Sequence, residues 1–350
     1  MPSPTPSADR LPGYPAADRW RRVPRTGQHY VDTGTGPPVL LLHGNPSWSY
    51  QWRHLIAALS PDFRCVAPDL AGLGLSPRPR VPASAVDRHL LQLDHLDALF
   101  DHLVAGRGAP RNGWTLVLHD WGGPLGWAWA RRRSLRPARI VVLNSICFPW
   151  PSGYRLPVYL RWIRDHRGVA ALAHATNFFP RAAVRGGVVA PLDRAERRAY
   201  LLPLARGGDR RAVVDFVRSI PRDDREEAWR LLEPAAAHRH GDDAPGEGGA
   251  GGVPGAGGTG RAGGAPGDGG DSGAIGGRTG GGVDLSALPL FVGWGMRDPV
   301  FTPLVLGEWE RRFPHARVHR YPDAGHYVME DAADRLGRDV RGFLTSPERS

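Results

Sequence analysis

Four short stretches of this 350-residue chain carry side chains that could act together on a small molecule. In Val117-Leu118-His119-Asp120-Trp121-Gly122-Gly123 an apolar run ends, a helical pattern begins, and an acid sits at the turn between them. Strand, sharp turn and helix in that order is the setting of a nucleophile elbow, and its tightness accounts for glycines two and three positions after the reactive group. A serine is usual there; here the residue is Asp120. A carboxylate, with a reference pKa of about 4, is already ionised at neutral pH. It needs no base to attack an sp³ carbon, whereas a hydroxyl does. The competing reading of Asp120 is a cap on the helix that follows.

The second stretch, Leu42-His43-Gly44-Asn45-Pro46, follows another apolar run, at the place that supplies an oxyanion hole. The backbone N–H groups of Asn45 and Trp121 are expected to point into the site. Near the C-terminus Gly293-Trp294-Gly295-Met296-Arg297-Asp298 follows a strand-like run, and Asp323-Ala324-Gly325-His326 follows the next, 28 residues on from Asp298 to His326. Nucleophile, acid, histidine is the chain order of α/β-hydrolases.

The elements that must position these groups are legible as well. Apolar runs at 38–42, 64–67, 115–118, 140–143 and 290–292 lack polar alternation, which a parallel sheet covered on both faces requires. A further strand is read at 318–321, and helices at 50–59, 85–103, 123–133 and 331–344. Strands alternating with helices predict an α/β fold with a mostly parallel, doubly wound sheet. Residues 1–22 read as an irregular Pro-rich arm, 23–146 and 284–346 as the core, and 147–235 as a helical cap between two sheet strands. Residues 236–283 are dominated by Gly, Ala, Asp and Pro and are expected to be a disordered loop.

Composition narrows the function classes. The net charge is +10, and all 45 basic residues are arginine. They are scattered, which reads as a solvated surface and not as a nucleic-acid site. The glycines of the low-complexity stretch match no phosphate-cradling spacing, so no nucleotide site is read, and no cofactor or metal is expected. Cys65 and Cys147 lie in apolar runs and read as small buried thiols. The N-terminus lacks the pattern of a signal peptide. No apolar run approaches the roughly 20 residues needed to span a bilayer, and a cytoplasmic enzyme is expected.

HGNPSWSYQWR, HDWGG, WGMRDPVF and DAGHYVMEDA together resemble the haloalkane dehalogenase family of α/β-hydrolases, over most of the chain outside the arm and the Gly-rich stretch. The resemblance implies that Asp120 attacks carbon, that His326 activates water and that Asp298 supports His326. It also implies that Asn45 and Trp121 hold the departing halide. In this family the supporting acid follows either of two strands. After the run ending at Leu143 stands Asn144, not a carboxylate, so the acid is Asp298.

Asn45 combined with an acid at 298 resembles the third branch, which is similar to the β-lactone decarboxylases of bacterial long-chain olefin biosynthesis. LNSICFPWPSGYRLPVYLRWIR, ATNFFPRAAVR and DRRAVVDFVRSIP carry the same resemblance. PDLAGLGLSPRP departs from it, where that group has a more polar, Asp-containing turn, and leaves haloalkane and β-lactone substrates both open. An epoxide hydrolase would want a large aromatic at 45 and two cap tyrosines. Asn45 opposes it, although Tyr154, Tyr159 and Tyr200 are present. A catalytically inactive binding protein is the reading from another class, and the intact triad opposes it. Trp150, Trp162, Phe178, Phe179 and Phe216 are the aromatics available to line a pocket for a hydrophobic small molecule.

Overall fold

A computed structural model describes residues 11–80, 82–205, 210–223, 227–232 and 287–347. The stretch 236–283, expected to be disordered, lies outside the described residues. Eight strands form one sheet: β1 (Trp20–Arg22), β2 (His29–Thr33), β3 (Pro38–Leu42), β4 (Arg64–Pro68), β5 (Thr115–Asp120), β6 (Arg139–Ser145), β7 (Leu290–Gly295) and β8 (Arg317–Tyr321). Their order is β1-β2-β4-β3-β5-β6-β7-β8. The pairs from β4 through β8 are parallel, and at one edge β2 pairs antiparallel with both β4 and β1, so that among the described strands β2 alone runs against the rest.

Strand residues alternate between faces, so a run apolar at every position must be covered on both sides. Leu40, Leu42, Leu116 and Leu118 pack on one side with Leu93 and Leu96 of α2 (Ala85–Gly106) and Leu125 of α3 (Gly122–Arg132). Their neighbours Val39, Leu41 and Val117 pack on the other side with Leu55 of α1 (Arg53–Leu59) and Leu336 and Val340 of α12 (Ala333–Thr345). Cys65 and Cys147 are buried thiols outside any disulfide, and burial pushes the Cys65 thiol up to about 12.

Between β6 and β7 the described residues form helices: α4 (Val158–Asp165), α5 (Arg167–Thr176), α6 (Phe178–Gly186), α7 (Arg194–Leu201), α8 (Arg211–Arg218) and α9 (Glu227–Leu232). After β7 come α10 (Pro303–Arg312) and α11 (Val328–Asp331). Among the described residues no helix is long and apolar enough to cross a membrane.

The expectation of an irregular arm through residue 22 is corrected for its second half. Leu11 is buried, the Tyr14 hydroxyl bonds Ser49 Oγ at 2.5 Å, and Trp20–Arg22 pairs with β2. These large apolar residues cover the α1 side of the sheet edge, which a Pro-rich composition alone did not reveal.

Candidate active site

The elbow begins where β5 stops. The ladder to β6 shifts register between His119 and Asp120, and Asp120 takes φ 49°, in the left-handed region that a non-glycine residue enters only under constraint. Ser145 Oγ donates to the Asp120 carbonyl at 2.5 Å, and that hydrogen bond helps hold the turn. The Asp120 carboxylate approaches the β3 loop so closely that a Cβ on Gly44 would collide with it. Its Oδ1 accepts the Asn45 backbone N–H at 2.7 Å, and the Trp121 backbone N–H also bonds the carboxylate. The loop is fixed by His43, whose Nδ1–H donates to the Gly44 carbonyl at 2.8 Å while Nε2 accepts from the Leu70 N–H at 2.9 Å.

Asp298 and His326 sit on the loops after β7 and β8, stitched together by the Arg297 N–H to the Ala324 carbonyl at 2.9 Å. His326 Nδ1 donates to Asp298 Oδ2 at 2.8 Å, so its Nε2 is the nitrogen left for proton transfer, 3.9 Å from Asp120 Oδ2. Asp298 Oδ1 accepts the N–H groups of Val300 (2.7 Å) and Phe301 (3.0 Å), and the Phe301 ring stacks on the imidazole. All three side chains are buried. Burial pulls the His326 pKa down, but the Asp298 charge and hydrogen bond, with the Asp120 charge, outweigh it and raise it above 6.5. Burial raises Asp120 above its ordinary 3.8, opposed by the His326 charge and the two backbone N–H groups and reinforced by the Asp298 charge.

Two supports were not read from sequence. Asn144, in the left-handed region at φ 37°, donates through Nδ2 to Asp298 Oδ2 (2.9 Å) and to the Gly295 carbonyl (3.1 Å). Its Oδ1 accepts the Gly295 N–H at 2.8 Å. The residue excluded as an acid therefore holds the acid. His119 Nε2 lies 3.0 Å from the His326 carbonyl, which can only accept, so this nitrogen carries the proton and Nδ1 accepts from Gln51 Nε2 at 3.2 Å. Burial, then the His326 charge, lowers the His119 pKa far enough to keep it neutral. The only available signal for either was adjacency to a motif residue.

The triad opens into a cavity of about 470 Å³ lined by Asn45, Trp121, Ile146, Leu160, Val217 and Val300 among others. Trp150, Phe178 and Phe179 line it too, whereas Trp162 projects away and is 57% exposed. Phe216 does not line it either: it is buried behind the Trp121 indole, with ring centres 5.5 Å apart. The Asn45 side chain donates through Nδ2 to the Val213 carbonyl at 3.1 Å, which leaves its second amide hydrogen uncommitted to any described residue.

Of the tyrosines raised for an epoxide reaction, Tyr154 donates to the Val300 carbonyl at 2.7 Å and Tyr200 to Glu330. Only Tyr159 of the three lines the cavity, so the paired phenols of that chemistry are not assembled. His54, Glu196 and Glu330 come together in a metal-like cluster, but the buried Arg53 guanidinium already bridges both glutamates.

The model of the alpha/beta hydrolase fold family matches residues 37–333. A cis-3-alkyl-4-alkyloxetan-2-one decarboxylase of Xanthomonas campestris is 32% identical over 340 residues, covering 95% of this chain and 97% of that protein. Haloalkane dehalogenase 2 of Mycobacterium bovis is 30% identical over 328 residues, covering 93% and 94%. Among solved structures, a haloalkane dehalogenase of Bradyrhizobium elkani superposes with a TM-score of 0.67 at 25% identity, over 93% of this chain and 96% of that one.

Proposed function

Because the chain belongs to the alpha/beta hydrolase fold family, in the group that holds haloalkane dehalogenases and oxetanone decarboxylases, we propose that it is an enzyme whose Asp120 attacks a hydrophobic small molecule and carries it as an ester. One observation carries this reading: an Asp120–His326–Asp298 relay of hydrogen-bonding groups at the floor of an apolar cavity. Helices α4 to α9 act in it as a cap that excludes water and selects substrate.

Asp120 Oδ1 accepts the Asn45 backbone N–H while Oδ2 faces His326, so Oδ2 is the oxygen that forms the new C–O bond. With a haloalkane, the C–X bond breaks as the C–O bond forms, and the halide leaves with the electron pair towards the Trp121 indole and the Asn45 amide. His326 Nε2 then takes a proton from water as the water oxygen adds to Cγ of the ester. The oxyanion develops on Oδ1, against the Asn45 N–H that already holds it. Asp298 fixes the tautomer and stabilises the imidazolium. Collapse expels the alkoxide, which takes the proton back from His326, and Asp120, left as its carboxylic acid, releases the other water proton to return to the carboxylate. The balance is one haloalkane and one water to one alcohol, one halide and one proton.

A second reading, cleavage of a cis-dialkyl β-lactone to alkene and carbon dioxide, is favoured by the Asn45 amide. With one of its hydrogens committed to Val213, it is a poorer cradle for a free halide than for a carboxylate still tethered to the substrate. That reaction consumes no water. The protein is to be incubated separately with a bromoalkane and with a 3,4-dialkyl-oxetan-2-one: bromide marks the first reading, alkene with carbon dioxide the second. His326→Ala is expected to hold the bromoalkane-derived mass on Asp120, and label on any other residue would overturn the nucleophile assignment.

A further inference from the structure

The mouth of the cavity is itself a surface of unusual composition. On α4, Val158 and Trp162 lie one turn apart and are 51% and 57% exposed, while Leu160 and Ile163 face inward. On α6, Phe178, Arg181, Ala182 and Arg185 follow helical spacing along one exposed face, and Phe178 is 63% exposed. Tyr159, Phe178 and Ala182 also line the cavity, so the outer apolar face is continuous with the inner one. The Tyr159 and Phe179 rings, 6.5 Å apart, bring the starts of α4 and α6 together.

Charge at this face is one-sided. Residues 147–192 contain six arginines and a single acid, Asp165, which is paired with Arg164 and Arg222. Arg161, Arg181 and Arg185 are exposed and make no side-chain bond to any described residue. One exposed apolar residue is ordinary. Several around one opening, flanked by unpaired guanidinium groups, match an interfacial surface: aromatic rings at headgroup depth and basic groups on phosphates. A second copy of this chain would bring the same positive charge and repel it.

We propose that the face formed by the exposed sides of α4 and α6 docks on an anionic lipid bilayer and places the cavity mouth against the apolar layer. The substrate then passes from bilayer to cavity without crossing water. The route rests on the cavity being the substrate site, but docking is read from lipid binding and not from turnover, so either can fail without the other.

The test is flotation of the full chain with vesicles, either phosphatidylcholine alone or with roughly one-third phosphatidylglycerol, in about 0.1 M salt, where the Debye length is about 10 Å. The wild type is expected to float with the anionic vesicles only. At about fivefold per basic group, Arg181→Gln/Arg185→Gln is expected to weaken binding roughly thirtyfold. Val158→Ser/Trp162→Ser is expected to weaken it at least tenfold, with melting temperature and turnover of a short soluble substrate unchanged.

The control pair is Arg111→Gln/Arg136→Gln, exposed at the amino ends of β5 and β6, away from the mouth, and expected to stay within twofold of wild type. No binding to anionic vesicles, or an equal loss in the control pair, overturns the proposal. So does concentration-dependent self-association, or capture of an acidic protein in place of lipid, that the Val158/Trp162 variant abolishes.

Discussion

Replacing Asp298 by asparagine tests the relay at its most constrained point. The carboxylate accepts four hydrogen bonds, from Val300 and Phe301 on one oxygen and from His326 and Asn144 on the other. An amide has one oxygen to give. If it keeps the two backbone N–H groups, its NH₂ faces the His326 Nδ1–H, and the imidazole must release that proton and carry it on Nε2. The base that was directed at water becomes a donor. The imidazolium also loses a countercharge whose centre lies roughly 4 Å away, about 4 kcal/mol at an effective dielectric constant of 20. That corresponds to ester hydrolysis slowed about 10³-fold. Attack by Asp120 needs no base, so the first step survives. Rapid-quench measurement with a bromoalkane is expected to give a stoichiometric bromide burst, then a steady rate about 10³-fold below wild type, with the ester visible by intact mass. Hydrolysis within tenfold of wild type, or a burst without an ester, would refute the reasoning.

Four further outcomes follow from the structure. Asp120 titrates above its ordinary value when folded, so its contribution to stability is present at low pH and is lost as pH rises through the folded pKa. Asp120→Asn is expected to raise the melting temperature at pH 7 while abolishing turnover; a lower melting temperature contradicts the burial cost. His326 is also raised, so its imidazole in the free enzyme, before an ester removes the Asp120 charge, is expected to titrate by NMR with a midpoint above 6.5. The His326 contribution to stability is full below 6.5 and is lost as pH passes that folded value. An NMR midpoint below 6.5 contradicts the proposed partner charges. Gly123→Ala places a Cβ against Ser145 Oγ and the Ile146 carbonyl and is expected to cost about 2–3 kcal/mol by urea denaturation. Gly342→Ala on α12, with nothing within 4 Å of its Cβ, is expected to gain about 0.5–1 kcal/mol.

The parallel strands were legible because burial on both faces leaves runs such as Pro38–Leu42 with no polar residue. β1 and β2 were not. Trp-Arg-Arg and His-Tyr-Val-Asp-Thr mix polar and apolar types, and pairing, not composition, makes them strands. The positions of Asp120, His326 and Asp298 were legible because polar residues at the ends of apolar runs stand beside glycines, as in Asp120-Trp121-Gly122 and Gly325-His326. Asn144 and His119 act only through contacts, with a residue 154 positions away and a backbone carbonyl 207 away, and no local pattern encodes such partners. The cavity aromatics were half legible for the same reason. A helix shows which residues share a face, not which face meets the sheet, so Trp162 and Phe178 could not be told apart.

His119 and Asp120 are consecutive in β5, yet both address His326, one through its carbonyl and the other towards its ring. The spacing between the groups proposed to react is thus gauged by a single peptide unit of the central strand, clamped by Ser145 on one side and Gln51 on the other. The helices over the cavity reach these residues through backbone groups that a change of side chain leaves in place: the Gly187 carbonyl accepts the Tyr327 N–H at 2.9 Å, and the Val213 carbonyl accepts from Asn45 at 3.1 Å. Sequence drift in α4, α6 or α8 can therefore re-tailor what is admitted while the reacting distance is inherited from the sheet. An ancestor with this strand could diversify its diet without relearning its chemistry.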